Sequence, residues 1–154
     1  MPLSDPRIVS QNPWWTDGSW ETRDPHLQRL GSAAVRLADP AFVQDVRLDE
    51  PAIHVVRGPR QVGKSTALKL LARRALQTGG RDAREVSYLA LDLIADQPLA
   101  ELAATVARAR ELADPAGPCL LLLDEVTVVP RWAEALKALW DEGVLHRDTV
   151  VATG

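Results

Sequence analysis

The stretch GPRQVGKST occupies residues 58–66. It follows the apolar run AIHVV (52–56), from which only Arg57 separates it. It fits the pattern G-x-x-x-x-G-K-[ST], in which two glycines permit a tight loop whose backbone N–H groups point at a phosphate chain. Residues 64–77 then carry apolar side chains at helical spacing. The start of such a helix offers unsatisfied N–H groups and a positive dipole end to the same anion. This order of strand, loop and helix is typical of a P-loop nucleotide-binding fold.

Strands and helices alternate along the rest of the chain. The predicted helices cover 64–77, 99–113 and 131–142, and the predicted strands are AIHVV (52–56), VSYLALD (86–92), CLLLLD (119–124) and TVVAT (149–153). The third strand has no polar face, which indicates a sheet covered on both sides. The sequence therefore predicts an α/β fold, a three-layer αβα P-loop NTPase with a parallel sheet. We expect the fourth strand to lie beside the first.

Each residue of the glycine-rich loop has an expected role. Lys64 supplies a mobile positive charge for the β and γ phosphates, and the Ser65 hydroxyl is a candidate magnesium ligand. Thr66 either touches the α-phosphate or only starts the helix. The other residues expected to contact the nucleotide are Gly58, Pro59, Arg60, Gln61, Val62 and Gly63. For Arg60 and Gln61, contact with a phosphate, contact with a neighbouring subunit and simple solvation all stay open.

Two acids follow the third predicted strand. Asp124 and Glu125 end the apolar run CLLLL. A carboxylate at the carboxyl end of a strand beside a phosphate loop can hold Mg²⁺ through water, so Asp124 is a predicted metal-site residue. Glu125 is placed to polarise a water that attacks the γ-phosphate, so we predict a catalytic role for it.

ATP is the nucleotide that the remaining motifs favour. A guanine-reading N-K-x-D element is excluded, since Asn12 is the only asparagine and no lysine follows it. The sequence DPAG at 114–117 precedes the third strand, whereas the D-x-x-G element of GTPases follows it. The serine-glycine-glycine signature of ABC-type ATPases is absent from the sequence. The sequence thus predicts ATP and Mg²⁺ as ligands.

Composition limits the other classes of function. The chain has 154 residues, 46% of them hydrophobic, and a net charge of −3, which gives no indication of a nucleic-acid partner. The single cysteine excludes an intramolecular disulfide. No run is long enough to span a bilayer, and the N-terminus lacks a signal-peptide pattern. We therefore expect a soluble, cytoplasmic protein without a membrane partner.

The first 25 residues are expected to form an irregular arm rich in tryptophan and proline. Trp14, Trp15 and Trp20 fall in this arm, and anchoring it to the domain is favoured over clamping an adenine. A helix is expected to begin at Asp24-Pro25 and to end at Asp39-Pro40. Residues 26–154 are then expected to form a partial ATP-binding domain.

Three segments together resemble a known family. RGPRQVGKST, LLLLDEVTVVPRWAEALKALWDEG and VVATG are similar to the Walker A, Walker B and sensor segments of prokaryotic AAA+ ATPases that pair an AAA domain with a C-terminal domain of unknown function. Members of that family also often begin with a segment like NPWW at 12–15. The resemblance covers roughly 52–154. It implies that the N-terminal segment lies near the adenine, and that Thr153 senses the γ-phosphate.

The resemblance also implies elements that the sequence does not contain. After the fourth strand we would expect a helix with an arginine finger, a fifth strand and a lid, so the chain is interpreted as truncated after the sensor strand. The leading hypothesis is an ATPase whose Mg²⁺-dependent hydrolysis is impaired in this chain. The alternatives are a nucleotide-dependent switch with negligible hydrolysis and a fragment without nucleotide function. The downstream process, the protein partner and the oligomeric state stay open.

Overall fold

The computed structural model of the protein describes residues 1–34, 39–59, 62–95 and 97–154. Within these ranges the helices and strands are α1 (Asp5–Ser10), α2 (Pro25–Gly31), α3 (Ala41–Asp45), β1 (Ala52–Val56), α4 (Lys64–Gln77), β2 (Val86–Ala90), α5 (Leu99–Ala113), β3 (Leu120–Asp124), α6 (Trp132–Asp141) and β4 (Thr149–Thr153).

The described strands form one parallel sheet in the order β1-β4-β3-β2. The expected pairing of the first and fourth strands is confirmed, with Val56 opposite Thr153. Two strands are shorter than their apolar patterns indicate. β2 ends at Ala90 because a 3-10 turn begins at Leu91, and β3 begins at Leu120. The predicted parallel α/β fold is confirmed.

Helices cover both faces of the two central strands of this sheet. One group consists of α2 and α3 packed on α4, and α4 lies against the central strands; the other consists of α1 and α6 packed on α5. Every residue of β3 and β4 is buried, as a strand must be when both faces are covered. None of the helices in the described ranges combines the length and apolar character needed to cross a membrane.

The expectation of an irregular arm over residues 1–25 is wrong in part. Residues 5–10 form α1, and Pro6 lies in the first turn, where a proline removes no helical hydrogen bond. Two 3-10 turns follow, at Pro13–Trp15 and Trp20–Thr22. Ile8 and Trp20 are buried in the same core as the sheet, so this segment packs as part of the domain.

The segment covers the free edge of β2 through its side chains. The Trp14 and Trp15 indoles each donate to the Val86 carbonyl, at 2.8 and 2.9 Å. Asn12 pairs with both backbone groups of Tyr88, accepting from its N–H at 2.6 Å and donating to its carbonyl at 3.0 Å. These contacts satisfy backbone N–H and C=O groups at the edge of the sheet, which could otherwise pair with a strand of another molecule and cause aggregation. The predicted anchoring role of the tryptophans is confirmed.

Replacement of Asn12 by alanine is expected to lower the free energy of unfolding by about 1–3 kcal/mol, because the buried N–H of Tyr88 loses its acceptor. Urea denaturation followed by circular dichroism measures this change. Ser10→Ala removes an exposed side-chain hydrogen bond two residues away and is expected to change stability by less than about 0.5 kcal/mol. Equal stability of both variants would contradict the edge-capping role.

The predicted start of the helix at Asp24-Pro25 is confirmed, and its predicted end at Asp39-Pro40 is wrong. The Asp24 carboxylate caps α2, accepting from the N–H groups of His26 and Leu27 at 3.0 Å. The helix ends at Gly31, well before Asp39, because glycine is a poor helix former. Residues 35–38 of the predicted helix lie outside the described residues.

Candidate functional site

The parallel register brings the candidate residues to one edge of the sheet. Val56 pairs with Thr153, and Ala90 pairs with Asp124, so the carboxyl ends of all four strands lie together. Gly58, after β1, and Lys64, at the start of α4, lie at this edge beside Glu125. In open parallel sheets ligands bind in the crevice outside these strand ends. This edge is therefore the candidate site.

The glycine-rich loop ends at the first residue of α4. Gly63 has a φ of +88°, a left-handed conformation that glycine adopts without strain. The amide groups of Lys64, Ser65 and Thr66 are in the first turn and have no intrahelical acceptor, as at any helix start. Arg60 and Gln61 of the predicted binding set lie outside the described residues.

The Lys64 ammonium is held at the loop. It donates to the Gly58 carbonyl at 2.6 Å and to the Pro59 carbonyl at 3.0 Å. Lys64 is only 9% exposed, whereas Val62, on the same loop, is 57% exposed. Because carbonyl acceptors are neutral, an arriving anion can compete for this charge through stronger charge-assisted hydrogen bonds.

Ser65 and Thr66 face a cavity of about 360 Å³ beside this helix start. The cavity is lined by His26, Arg29, Gly63, Lys64, Ser65, Thr66 and Glu125. It therefore joins helix α4, helix α2 and the end of β3. The predicted loop residues Gly63 to Thr66 and Glu125, which are far apart in the sequence, share one cavity in the fold.

Asp124 is 4% exposed, and two hydroxyl groups hold its carboxylate. Thr153 donates to Oδ1 at 2.7 Å from β4, and Tyr88 donates to Oδ2 at 2.7 Å from β2. Burial and the neighbouring carboxylate raise the pKa of Tyr88, so its hydroxyl keeps the proton that it donates. The carboxylate is thereby fixed in one orientation at the strand ends.

Glu125 adopts an uncommon backbone conformation immediately after β3, with φ +58° and ψ +44°. For a non-glycine residue this costs about 1–3 kcal/mol and is often found at functional positions. The Glu125 N–H donates to the Thr153 hydroxyl at 3.3 Å. Glu125 is half-buried and lines a second cavity, of about 500 Å³, together with Lys64 and Gly58.

Thr153 is fully buried, and its hydroxyl contacts the two acids. It does not line either of the cavities beside Lys64. This position differs from that expected of a residue that touches a γ-phosphate directly, because the hydroxyl bonds to Asp124. Its contacts link β4 to Asp124 and Glu125, and a direct sensor role stays a prediction.

The sequence did not predict Tyr88, His26 or Arg29 as site residues. His26 and Arg29 lie three residues apart on α2 and both line the cavity with Lys64. Burial lowers the pKa of His26, so its imidazole is neutral near pH 7. The helical spacing places them on one face of α2, but no local pattern shows which element that face contacts.

A smaller, mainly apolar cavity of about 270 Å³ adjoins this site. It shares His26, Arg29, Gly63 and Thr66 with the polar cavity and is walled by Leu30, Pro40, Ala67 and Leu70, among others. The two cavities therefore form a polar and an apolar compartment, both bordered by α2 and the start of α4. Such a pairing suits a ligand with a charged end and a flat, weakly polar end.

Comparisons with known proteins bear on the same residues. The sequence model of a family described as an AAA domain matches residues 50–154, which is more than half of the chain. The match contains the loop after β1, the acids after β3 and strand β4, whereas α1, α2 and α3 precede it. Neither the comparison with curated proteins nor that with solved structures gave a significant match.

Proposed function

Because the chain belongs to the AAA domain family, we propose that it binds ATP with Mg²⁺ at the strand ends and hydrolyses it. Membership of this family suggests nucleotide binding in general. The observation that carries the proposal is the shared cavity of Lys64, Ser65, Thr66 and Glu125, which unites a helix start and a strand end.

The donor groups fit a Mg·ATP ligand. Ser65 offers a hydroxyl in the cavity, and hard oxygen donors are those that Mg²⁺ prefers. Asp124 is 4% exposed and lines neither cavity, so its carboxylate would hold Mg²⁺ through a bound water. The amide groups at the start of α4 and the Lys64 ammonium supply positive charge for the phosphates. The apolar compartment walled by Leu30 and Pro40 suits the adenine. Mg²⁺, when bound, neutralises negative charge on the phosphate oxygens.

In the proposed reaction water and ATP yield ADP and inorganic phosphate. The water oxygen bonds to the γ-phosphorus while the bond from that phosphorus to the β–γ bridging oxygen breaks. Glu125 orients the water and accepts its proton, and Lys64 with the loop amides stabilises the charge on the transferring group. Asp124, fixed by two hydroxyls, is the proposed metal-site carboxylate.

Replacement of Lys64 by alanine is expected to weaken Mg·ATP binding by about 10- to 100-fold, since a hydrogen bond to a charged group contributes about 1.5–3 kcal/mol. Isothermal titration calorimetry of the wild-type chain and the variant measures this change. Lys137→Ala, which removes an exposed lysine of α6, is the matched control and is expected to bind as the wild type does.

Two results would contradict the proposed function. One is a wild-type chain that melts cooperatively yet shows no saturable binding of ATP. The other is equal affinity of the wild type and Lys64→Ala for Mg·ATP, which would place the nucleotide elsewhere. Tighter binding of GTP than of ATP would contradict the choice of nucleotide alone.

A further inference from the structure

Tyr88, which belongs neither to the glycine-rich loop nor to the pair Asp124 and Glu125, holds the carboxylate of Asp124. The Tyr88 hydroxyl, on β2, donates to Asp124 Oδ2 at 2.7 Å. Tyr88 is 5% exposed and Asp124 is 4% exposed, so water does not compete freely for this hydrogen bond. The hydroxyl therefore restricts the rotation of the carboxylate that the proposed function assigns to Mg²⁺.

A buried cation lies over the ring of Tyr88. The Lys69 ammonium is 4.0 Å from the centre of that ring and 5.2 Å from that of Trp14. It also pairs with the Asp24 carboxylate at 3.3 Å, and the two side chains are 7% and 3% exposed. Cation–π contacts are strongest when desolvated, as here. Lys69 thus holds the Tyr88 ring and joins it to the start of α2.

Asn12 holds the backbone of Tyr88. Asn12 accepts from the Tyr88 N–H at 2.6 Å and donates to its carbonyl at 3.0 Å. Asn12, Trp14 and Asp24 all lie in the segment that precedes the AAA domain match. Ring, hydroxyl and backbone of Tyr88 are therefore each fixed by a separate polar contact.

We propose that Tyr88 is a positioning residue that orients Asp124 for a divalent cation, and that residues 12–24 set the cation affinity of the site by holding Tyr88 through Lys69 and Asn12. This inference rests on the proposed function. It assigns to the N-terminal segment an effect on the metal site in addition to its packing on the edge of β2. Loss of an outer hydrogen bond to a metal ligand typically costs about 10- to 100-fold in metal affinity.

The test is the Mg²⁺ dependence of ATP binding by the chain Met1–Gly154. N-methylanthraniloyl-ATP is titrated in EDTA and then at rising Mg²⁺ concentration, with wild type and Tyr88→Phe. The variant keeps the ring and removes the hydroxyl. We expect the Mg²⁺ concentration for half-maximal effect to rise about 10-fold, while affinity for the nucleotide in EDTA stays unchanged. If the Tyr88 hydroxyl contributed only to packing, its removal would not raise the required Mg²⁺ concentration while leaving the affinity in EDTA unchanged.

Thr149→Val is the matched control. Thr149 is buried, and the substitution removes its half-buried hydroxyl hydrogen bond to the Glu50 carbonyl, at 2.7 Å, from the opposite end of the same sheet. Its Mg²⁺ dependence should equal that of the wild type. If Tyr88→Phe loses its cooperative melting transition, the double variant Asp24→Asn/Lys69→Met is used, and the same rise in the required Mg²⁺ concentration is expected.

The outcomes separate this inference from the proposed function. An unchanged Mg²⁺ dependence in the folded variants would overturn the positioning role and leave ATP binding intact. An equal loss of affinity with and without Mg²⁺ would also overturn it, since the effect would then lie on the nucleotide. A wild-type chain that binds no nucleotide would overturn the proposed function itself.

Discussion

In single-turnover assays the Glu125→Gln variant is expected to cleave bound ATP about 10²- to 10⁴-fold more slowly than the wild type. Glutamine keeps the size of the side chain but cannot accept the proton of the attacking water. Lys64, Ser65 and Asp124 are unchanged, so the affinity for Mg·ATP is expected to stay close to that of the wild type. Rapid-quench measurement of released phosphate and calorimetric titration give the two quantities.

The structure provides a matched control for this substitution. Glu134→Gln changes an exposed glutamate of α6 that pairs with Arg131 on the surface, and it is expected to leave the cleavage rate unchanged. Equal rates for the wild type and Glu125→Gln would contradict the catalytic role of Glu125. If the wild type binds Mg·ATP but cleaves it no faster than water does, a nucleotide-dependent switch becomes the better description.

Replacement of Lys69 by alanine is expected to lower the free energy of unfolding by about 3–5 kcal/mol, because it leaves the buried Asp24 carboxylate without its partner. The same substitution removes the cation from the rings of Trp14 and Tyr88. Burial lowers the pKa of Lys69, as expected for an ammonium that has left water. Urea denaturation monitored by tryptophan fluorescence measures the loss.

Two further variants show whether burial causes this loss. Lys137→Ala also breaks a lysine–aspartate pair on a helix, but those side chains are 75% and 57% exposed, so a change of at most about 0.5 kcal/mol is expected. Asp24→Asn/Lys69→Met removes both charges while asparagine can still cap α2, and it is expected to recover much of the lost stability. A Lys69→Ala variant as stable as Lys137→Ala would contradict the account.

Local sequence patterns were sufficient for the elements of the sheet. β1 and β4 have the bounds predicted from AIHVV and TVVAT, and α4 has those predicted from the apolar spacing after Gly63. β4 is buried along its whole length, as its apolar run indicates, whereas β1 is only half-buried and its bounds follow from the short apolar run alone. The pattern does not predict α1, because this segment is rich in proline, yet Pro6 lies in the first turn, where a helix tolerates it. The pattern failed also at the end of α2, which is Gly31 and not Asp39-Pro40 as predicted.

The sequence by itself determined the chemistry of the strand ends: a glycine loop with Lys64 and Ser65, and the acids Asp124 and Glu125. These groups are encoded locally, because a loop and the end of a strand need only a few consecutive residues. Only the tertiary structure decided which other side chains meet them. His26, Arg29 and Tyr88 reach the site from α2 and β2 because of helix packing and strand order, and such contacts between distant segments leave no periodic signal in the sequence.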